Sequence, residues 1–504
     1  MPCSHRAGRR ARAGAAAVLL LLLPAAVHAR ANREEVARDF SRTVAMRPGQ
    51  EFRLDHSLGD VTLRTHPQAE ASIVARIRVS APTAAEASAA VAQVVIGVQE
   101  SAAAVAVRTQ YPDSHPRNVS YSVDYEITLP AATPLQVRNS FGDVSVTGVK
   151  AEGDMRNSHG RLALADGRGV QRLENSFGAV EVLRNEGDVS IRNQNGAVKV
   201  TEVQGALEVS NRFADVEARS VLKGVTISNS NGNVLVADAG GVARLTNSFG
   251  KVEASLVRGD LTVVNGNGNL DVRGVTGAAD LKTSFGAVEV AQVQGAVTVT
   301  NNNGAVTLRD VGGLAEVRGS FGRIEVRGAP KGVRVVGGNG DVVVSDVGPA
   351  YLKTSFGQLQ AERVAGSLEA ENTNGAVRAV GVKGPATVRT SFAGVVLSGV
   401  EGGAVEVHNQ NGAVEVEAAG HAPCARITLA TSFGPIRLRV PEGAGYDLVA
   451  RTSFGSIHSD LPITASGTIG ADSLSGRIGA GGCALSLTDS NGNIEILRTA
   501  TTGR

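Results

Sequence analysis

The sequence predicts an all-β protein: a parallel β-solenoid of about 18-residue repeats, with a small mixed N-terminal capping segment carrying one short helix. Three observations carry this. Ten of the 12 phenylalanines stand on one ruler: Phe141, Phe177, Phe213, Phe249, Phe285, Phe321, Phe356, Phe392, Phe433 and Phe454, the first five steps being 36 residues and the sixth 35. Midway between them falls an Asn (Asn195, Asn231, Asn267, Asn303, Asn339, Asn374, Asn411), with His159 at the first such place. The composition agrees, with 61 Gly, no Trp, 3% aromatic residues, abundant Val and no long helical pattern.

The repeat unit reads strand, Gly corner, strand, Gly corner. In Leu245-Thr246-Asn247-Ser248-Phe249-Gly250 the residues Leu245, Asn247 and Phe249 share one parity, which predicts that all three point inward. After the corner, Val252 and Ala254 take over the inner face, while Lys251 and Glu253 point out. One unit cannot bury its apolar face alone; stacked neighbours make the core continuous. A coil of 36 residues would set Phe over Phe, whereas a coil of 18 sets Phe over Asn and gives about twenty coils in a rod of ~100 Å. The two Gly corners in every 18-residue unit favour the shorter coil.

A second column lies two residues before the Phe/Asn site: Asn139, Asn157, Asn175, Asn193, Asn211, Asn229, Asn247, Asn265 and Asn301, with Thr283, Thr354 and Thr390 as variants. An inward amide is costly unless hydrogen-bonded. The expectation is a ladder in which stacked Asn residues satisfy one another and the corner backbone. The competing account is local turn bonding by each Asn.

Residues 1–29 read as a secretory signal: Arg6, Arg9, Arg10 and Arg12, an apolar Ala15–Ala26 core, and small residues at Val27-His28-Ala29. The apolar run is too short for an ordinary span of ~20 residues. Removing it leaves 46 basic against 48 acidic residues, and with few aromatics nothing attracts nucleic acid. The expected location is therefore exported: periplasmic, cell-surface or secreted, with no membrane span in the mature chain.

Residues 30–135 leave the ruler and read as a β-rich cap. Ser57-Leu58-Gly59 looks like a degenerate first copy of Ser-Phe-Gly. Thr83-Ala84-Ala85-Glu86 is a capping-box pattern opening a helix near 83–94. A cap is needed because an open coil end exposes unpaired strand edges. Repeats fill 136–498 and a polar tail 499–504. The last steps lengthen to 19, 22 and 21 residues, with His421-Ala422-Pro423 as extra corner residues, and Asn491–Ile496 as the last coil. Cys424 and Cys483 are then about three coils apart, ~14 Å, which excludes a disulfide unless the C-terminal coils fold back.

Catalytic, metal and cofactor-binding residues are expected to be none. A glycan-cleaving enzyme needs converging carboxylates; Asp143, Asp188, Asp215, Asp260 and Asp341 are instead spread along the rod after corners. Calcium-binding solenoids need an in-phase Asp after G-G-x-G; the nearest matches, Gly337–Asp341 and Gly266–Asp271, place it out of phase.

The chain resembles the bacterial β-strand-repeat family of candidate adhesins, a domain of unknown function. The resemblance rests on Tyr121–Pro130 leading into the repeats and on serial S-x-G-x-V turns such as Ser140-Phe141-Gly142-Asp143-Val144 and Ser176-Phe177-Gly178-Ala179-Val180. It implies an exported β-solenoid without catalytic residues. The chain departs from the family by using Phe where Ser or Gly is usual. The functional expectation is a non-enzymatic adhesin or envelope interaction scaffold with a protein or glycan partner. The alternatives are a filament former joining end to end, and a polysaccharide-active enzyme.

Overall fold

The computed structural model describes residues 33–113, 118–418 and 424–499. The signal reading at 1–29, the His421-Ala422-Pro423 insertion and all but the first residue of the tail lie outside these. The described chain is nearly all β, a parallel solenoid of about 17 turns of ~18 residues with one short helix.

Each turn contributes one strand to each of two sheets, and successive turns pair in parallel. Leu245 lies beside Ile227 and Val263 in one sheet. Val252 lies beside Val234 and Leu270 in the other. The 18-residue offset in these pairs, repeated in Asn175 beside Asn193, excludes the 36-residue coil. Val and Leu alternate with polar residues along each strand, so inner positions such as Leu245, Val252 and Val263 are buried and form one continuous core. At the first corner, glycines stack directly: a Cβ on Gly178 (φ 126°) would come within 2.1 Å of the Gly160 carbonyl oxygen. That close approach, with positive φ, is why Gly recurs there.

At the N-terminal end, Glu51–Asp55 and Val61–His66 form a turn on top of the first regular one, with Leu58 beside Phe141. A further turn, Ala104–Gln110 and Ser120–Pro130, stacks outside it in parallel. Antiparallel strands then close this end: Glu70–Ala81 beside Ser120–Pro130, Glu34–Ala45 beside Glu70–Ala81, and Val95–Glu100 beside Ala104–Gln110. The helix Ala84–Gln93 starts at Thr83, whose hydroxyl accepts the Glu86 N–H at 3.3 Å. It buries Ala87, Ala90 and Val91 and packs on the strands Glu34–Ala45 and Glu70–Ala81. The sequence reading did not include the strand Glu34–Ala45.

The C-terminal end corrects two expectations. Asn491–Ile496 belongs to the last turn in sequence but not in space. The turn of Cys483–Asn491 and Ile494–Arg498 inserts beside Ile427–Phe433 and Ile436–Val440. The turn of Tyr446–Thr452 and Ile457–Ser459 lies outside it. Ser473–Ile478 then runs antiparallel to Tyr446–Thr452, and Ile463–Ile469 antiparallel to Ser473–Ile478. Because the chain folds back, Cys424 and Cys483 have Cα atoms 5.8 Å apart and form a disulfide. The three-coil separation expected from sequence assumed that stacking follows chain order, which fails here.

Candidate interaction surface

The third correction concerns the phenylalanines. All ten ruler rings are exposed, from 46% at Phe213 to 77% at Phe454. Parity placed them inside because alternation holds only while a strand stays extended. The interior of the corner is already filled. Asn139, Asn157, Asn175, Asn193, Asn211, Asn229, Asn247, Asn265 and Asn301 are all buried. Asn175 Nδ2 donates to the Gly160 carbonyl of the previous turn at 3.0 Å and to the Gly178 carbonyl of its own corner at 3.2 Å. Asn247 does the same to Gly232 and Phe249, at 3.0 and 3.1 Å. With the stacked glycines beside it, the corner holds an amide but not a ring, and the chain bends so that Phe points out.

The Asn ladder is also partly revised. The amides bond the corner backbone, not each other. The Oδ1 atoms of Asn139, Asn157, Asn193, Asn211, Asn229, Asn247, Asn265 and Asn301 are buried without a hydrogen-bond partner.

Along the corner the rings form a ridge in which Phe and Asn alternate turn by turn, as in Phe177 beside Asn195 and Phe249 beside Asn267. At the C-terminal end the sequence runs Phe433 then Phe454, two rings in succession. In space Asn491 stands beside Phe433, and the Phe454 N–H donates to the Ser490 carbonyl at 2.9 Å. The inserted turn therefore restores the alternation as Phe433, Asn491, Phe454. Lack of room does not impose the pattern. Phe141, His159 and Phe177 stack on three consecutive turns, with ring centroids 4.5 and 4.8 Å apart and planes within 14°. The ridge Asn residues bond the preceding turn: Asn195 Nδ2 donates to Ser176 O, and Asn411 Nδ2 to Ser391 O.

Beside the ridge runs a trough on the strand leading into the corner. Its longest stretch, about 660 Å³, extends from Lys353 to Ser490 over six spatially consecutive turns. A second stretch, of about 360 Å³, lies on the same columns between Glu174 and Ser230.

The candidate acids have backbone partners. Oδ1 of Asp143 accepts the Arg161 N–H at 2.8 Å, one turn on. Asp188, Asp215, Asp260 and Asp341 accept the N–H of Ala206, Asn233, Ala278 and Gln358 in the same way, at 2.7–2.9 Å. Asn233 and Asn269 repeat the bond in the column of Asp143, Asp215 and Asp341 at one corner, and Asp188 and Asp260 belong to a second column at the other, so both corners are stapled turn to turn. Among the described residues no group of three or more His, Cys, Asp or Glu could hold a metal ion. No helix there is long and apolar enough to cross a membrane.

A buried pair with shifted titration sits in the N-terminal cap, remote from the trough. His56 is 2% exposed, its Nδ1 3.0 Å from the Thr109 hydroxyl, which lies 2.7 Å from the Tyr125 hydroxyl. Burial pushes His56 down to about 4 and Tyr125 up to about 12. Sequence reasoning did not single out this network, and spacing carries no signal for it.

Residues 317–497 match the Toastrack DUF4097 family model. The Toastrack match spans ridge residues Phe321 to Phe454 together with Asn491, and so includes the inserted turn. It agrees with the β-repeat resemblance read from the S-x-G-x-V turns. No curated protein matches the chain. Three solved structures are similar in part. A candidate cell adhesion protein from Clostridium sporogenes is 12% identical, with 34% of this chain and 100% of that chain covered and a TM-score of 0.22. A candidate adhesin from Bacteroides fragilis is 13% identical, covering 61% and 96%, with a TM-score of 0.17. One from Parabacteroides distasonis is 10% identical, covering 62% and 95%, with a TM-score of 0.16.

Proposed function

We propose that this Toastrack-containing chain is a non-enzymatic, exported β-solenoid that serves as an interaction scaffold in the cell envelope, with the Phe/Asn ridge as its docking surface. One observation carries the reading. A row of half-exposed rings alternates with Asn, His159 apart, and the alternation persists at the C-terminal end, where chain order departs from stack order. Exposed rings repeated along one corner put far more apolar surface outside than scattered single residues do, which marks an interaction site. The basic and apolar segment at residues 6–26 supports export.

The filament alternative is disfavoured by the strand geometry. Antiparallel strands extend both sheets at the N-terminal end and one sheet at the C-terminal end, where the other stops on the three-residue strand Ile457–Ser459, so neither end presents a complete parallel turn for end-to-end joining. The enzyme alternative loses its candidate acids to turn-to-turn stapling.

The test is fractionation of cells expressing the tagged chain, followed by pull-down from envelope extracts with wild type and a Phe392→Ser/Phe433→Ser variant. Envelope recovery and ring-dependent capture are expected. Recovery only from cytosol would sink export, and equal capture by the variant would sink the ridge. Monodisperse monomer at high concentration is expected in sedimentation; concentration-dependent polymers would favour the filament.

A further inference from the structure

We infer that the trough between Lys353 and Ser490 is a binding cleft for a neutral, extended β-linked polysaccharide. This rests on the ridge being a docking surface and names what docks there. Four features point to that chemistry.

The first is length. Six consecutive turns give the trough a run of ~24 Å at ~4.8 Å per turn. That fits several sugars of an extended chain and is far more than a monosaccharide needs.

The second is the unpaired polar row. Ser355, Thr373, Ser391, Gln410, Ser432 and Ser490 occur once per turn along the trough. Their hydroxyl and amide groups make no side-chain hydrogen bond within the described residues. Such groups exchange water for ligand hydroxyls with little penalty, since each can both donate and accept.

The third is charge. The ionic side chains along the trough are already paired on the surface. Lys353 Nζ lies 2.6 Å from Glu371 and Arg389 lies 3.8 Å from Glu369, while Glu406 is hydrogen-bonded to the His408 ring at 2.7 Å. No field of one sign remains to draw an anionic polymer, so the complementary ligand is uncharged.

The fourth is period. Phe356, Phe392 and Phe433 directly follow the trough residues Ser355, Ser391 and Ser432, about half exposed on alternate turns of the adjoining ridge, with Asn between them. The row of rings therefore repeats every ~9.6 Å. An extended β-1,4-linked hexose chain turns the same face outward on every second sugar and repeats over close to that length. Stacked His159 shows that a ring could stand on every turn. The double-turn spacing is what a two-residue polymer repeat requires and what core packing does not.

The experiment uses the full mature chain with its disulfide intact. Binding of β-1,4-linked glucose and N-acetylglucosamine hexamers and dimers is measured by calorimetry, with polygalacturonate as the anionic probe. At least one neutral hexamer is expected to bind, at least tenfold tighter than its dimer. Phe392→Ala/Phe433→Ala and, separately, Ser391→Ala/Gln410→Ala should each weaken it tenfold or more, with unchanged circular dichroism. Leu222→Ala, exposed but outside the ridge and both trough stretches, should leave it unchanged. Failure of both neutral hexamers to bind, preference for polygalacturonate, or ring-independent binding overturns the inference. So does a ring-dependent dimer in sedimentation, which would make a second copy the occupant. If neutral glycans fail while ring-dependent envelope capture persists, the glycan assignment falls and the docking surface stands; if capture is also ring-independent, both fall.

Discussion

The Asn491 amide donates to the Ser432 carbonyl at 3.3 Å, across 59 residues of chain. This contact seats the last turn in sequence directly on the turn of Phe433 and displaces the intervening turn outward. The N-terminal end uses the same device. There the turn at 51–66 slots between the array and the turn at 104–130. At each end the turn inserted next to the array is therefore covered by a further turn, and antiparallel strands lie outside that, on both sheets at the N-terminal end and on one at the C-terminal end. A solenoid terminus made this way cannot fray by simple peeling of its last residues.

Exposure makes a sharp stability contrast. Phe249 is 54% exposed and Leu245 is 1% exposed on the same strand. Phe249→Ala should cost below about 1 kcal/mol, whereas Leu245→Ala should cost about 2–5 kcal/mol. Urea unfolding of the two variants checks this. Equal losses would mean that the ring packs in the core.

The inward amides bear on corner closure. Asn247→Leu leaves the Gly232 carbonyl unpaired inside the corner and removes one of the two bonds to the Phe249 carbonyl, which still accepts the Gly232 N–H at 3.0 Å. A loss of about 1–3 kcal/mol is expected. Asn247→Thr should lose less, because Thr283 already bonds Phe285 O at 3.2 Å in the equivalent place. Should Leu prove as stable as Thr there, the amide bonds would not matter.

Reduction should loosen the C-terminal end selectively. The Cys424–Cys483 bond closes a loop of 59 residues, for which chain entropy estimates about 4 kcal/mol. Hydrogen exchange is expected to quicken across 446–498 in Cys424→Ser, while turns before Leu359 keep wild-type protection. Uniform protection in both forms would show that backbone pairing alone seats the inserted turn.

Acid should destabilise the N-terminal cap through His56. Burial lowers its folded value from 6.5 to about 4, so the folded state holds it neutral. Between these values the unfolded chain binds the extra proton, so the contribution is full above pH 6.5 and lost as pH falls toward 4. The size is about 3 kcal/mol, from ~1.4 kcal/mol per pKa unit. His56→Gln should flatten the fall in cap stability between pH 6.5 and 4, read by proteolysis or exchange of residues 51–66. A variant with the wild-type slope would assign the effect elsewhere.

Much of the architecture was legible in single residues. Leu245, Val252 and Val263 announced inner faces by alternation, and the 18-residue recurrence of Gly corners gave the turn. Thr83 and Glu86 marked the helix start. Alternation failed at Phe249, two residues past Asn247, because the Asn amide, binding carbonyls from two turns at once, already occupies the corner. Neither partner is visible in a local pattern. The trough was not legible at all, since it exists only where columns from six turns align.

The sequence by itself determined the repeat, its period and the buried columns, because stacking identical short units leaves one way to hide the aliphatic face. Tertiary structure decided three things. It turned the phenylalanines outward, because amides and close-packed glycines had already filled the corner. It joined Cys424 to Cys483, and it set Asn491 between Phe433 and Phe454. The last two follow from backbone pairing between segments distant in sequence, and order along the chain does not specify order along the stack.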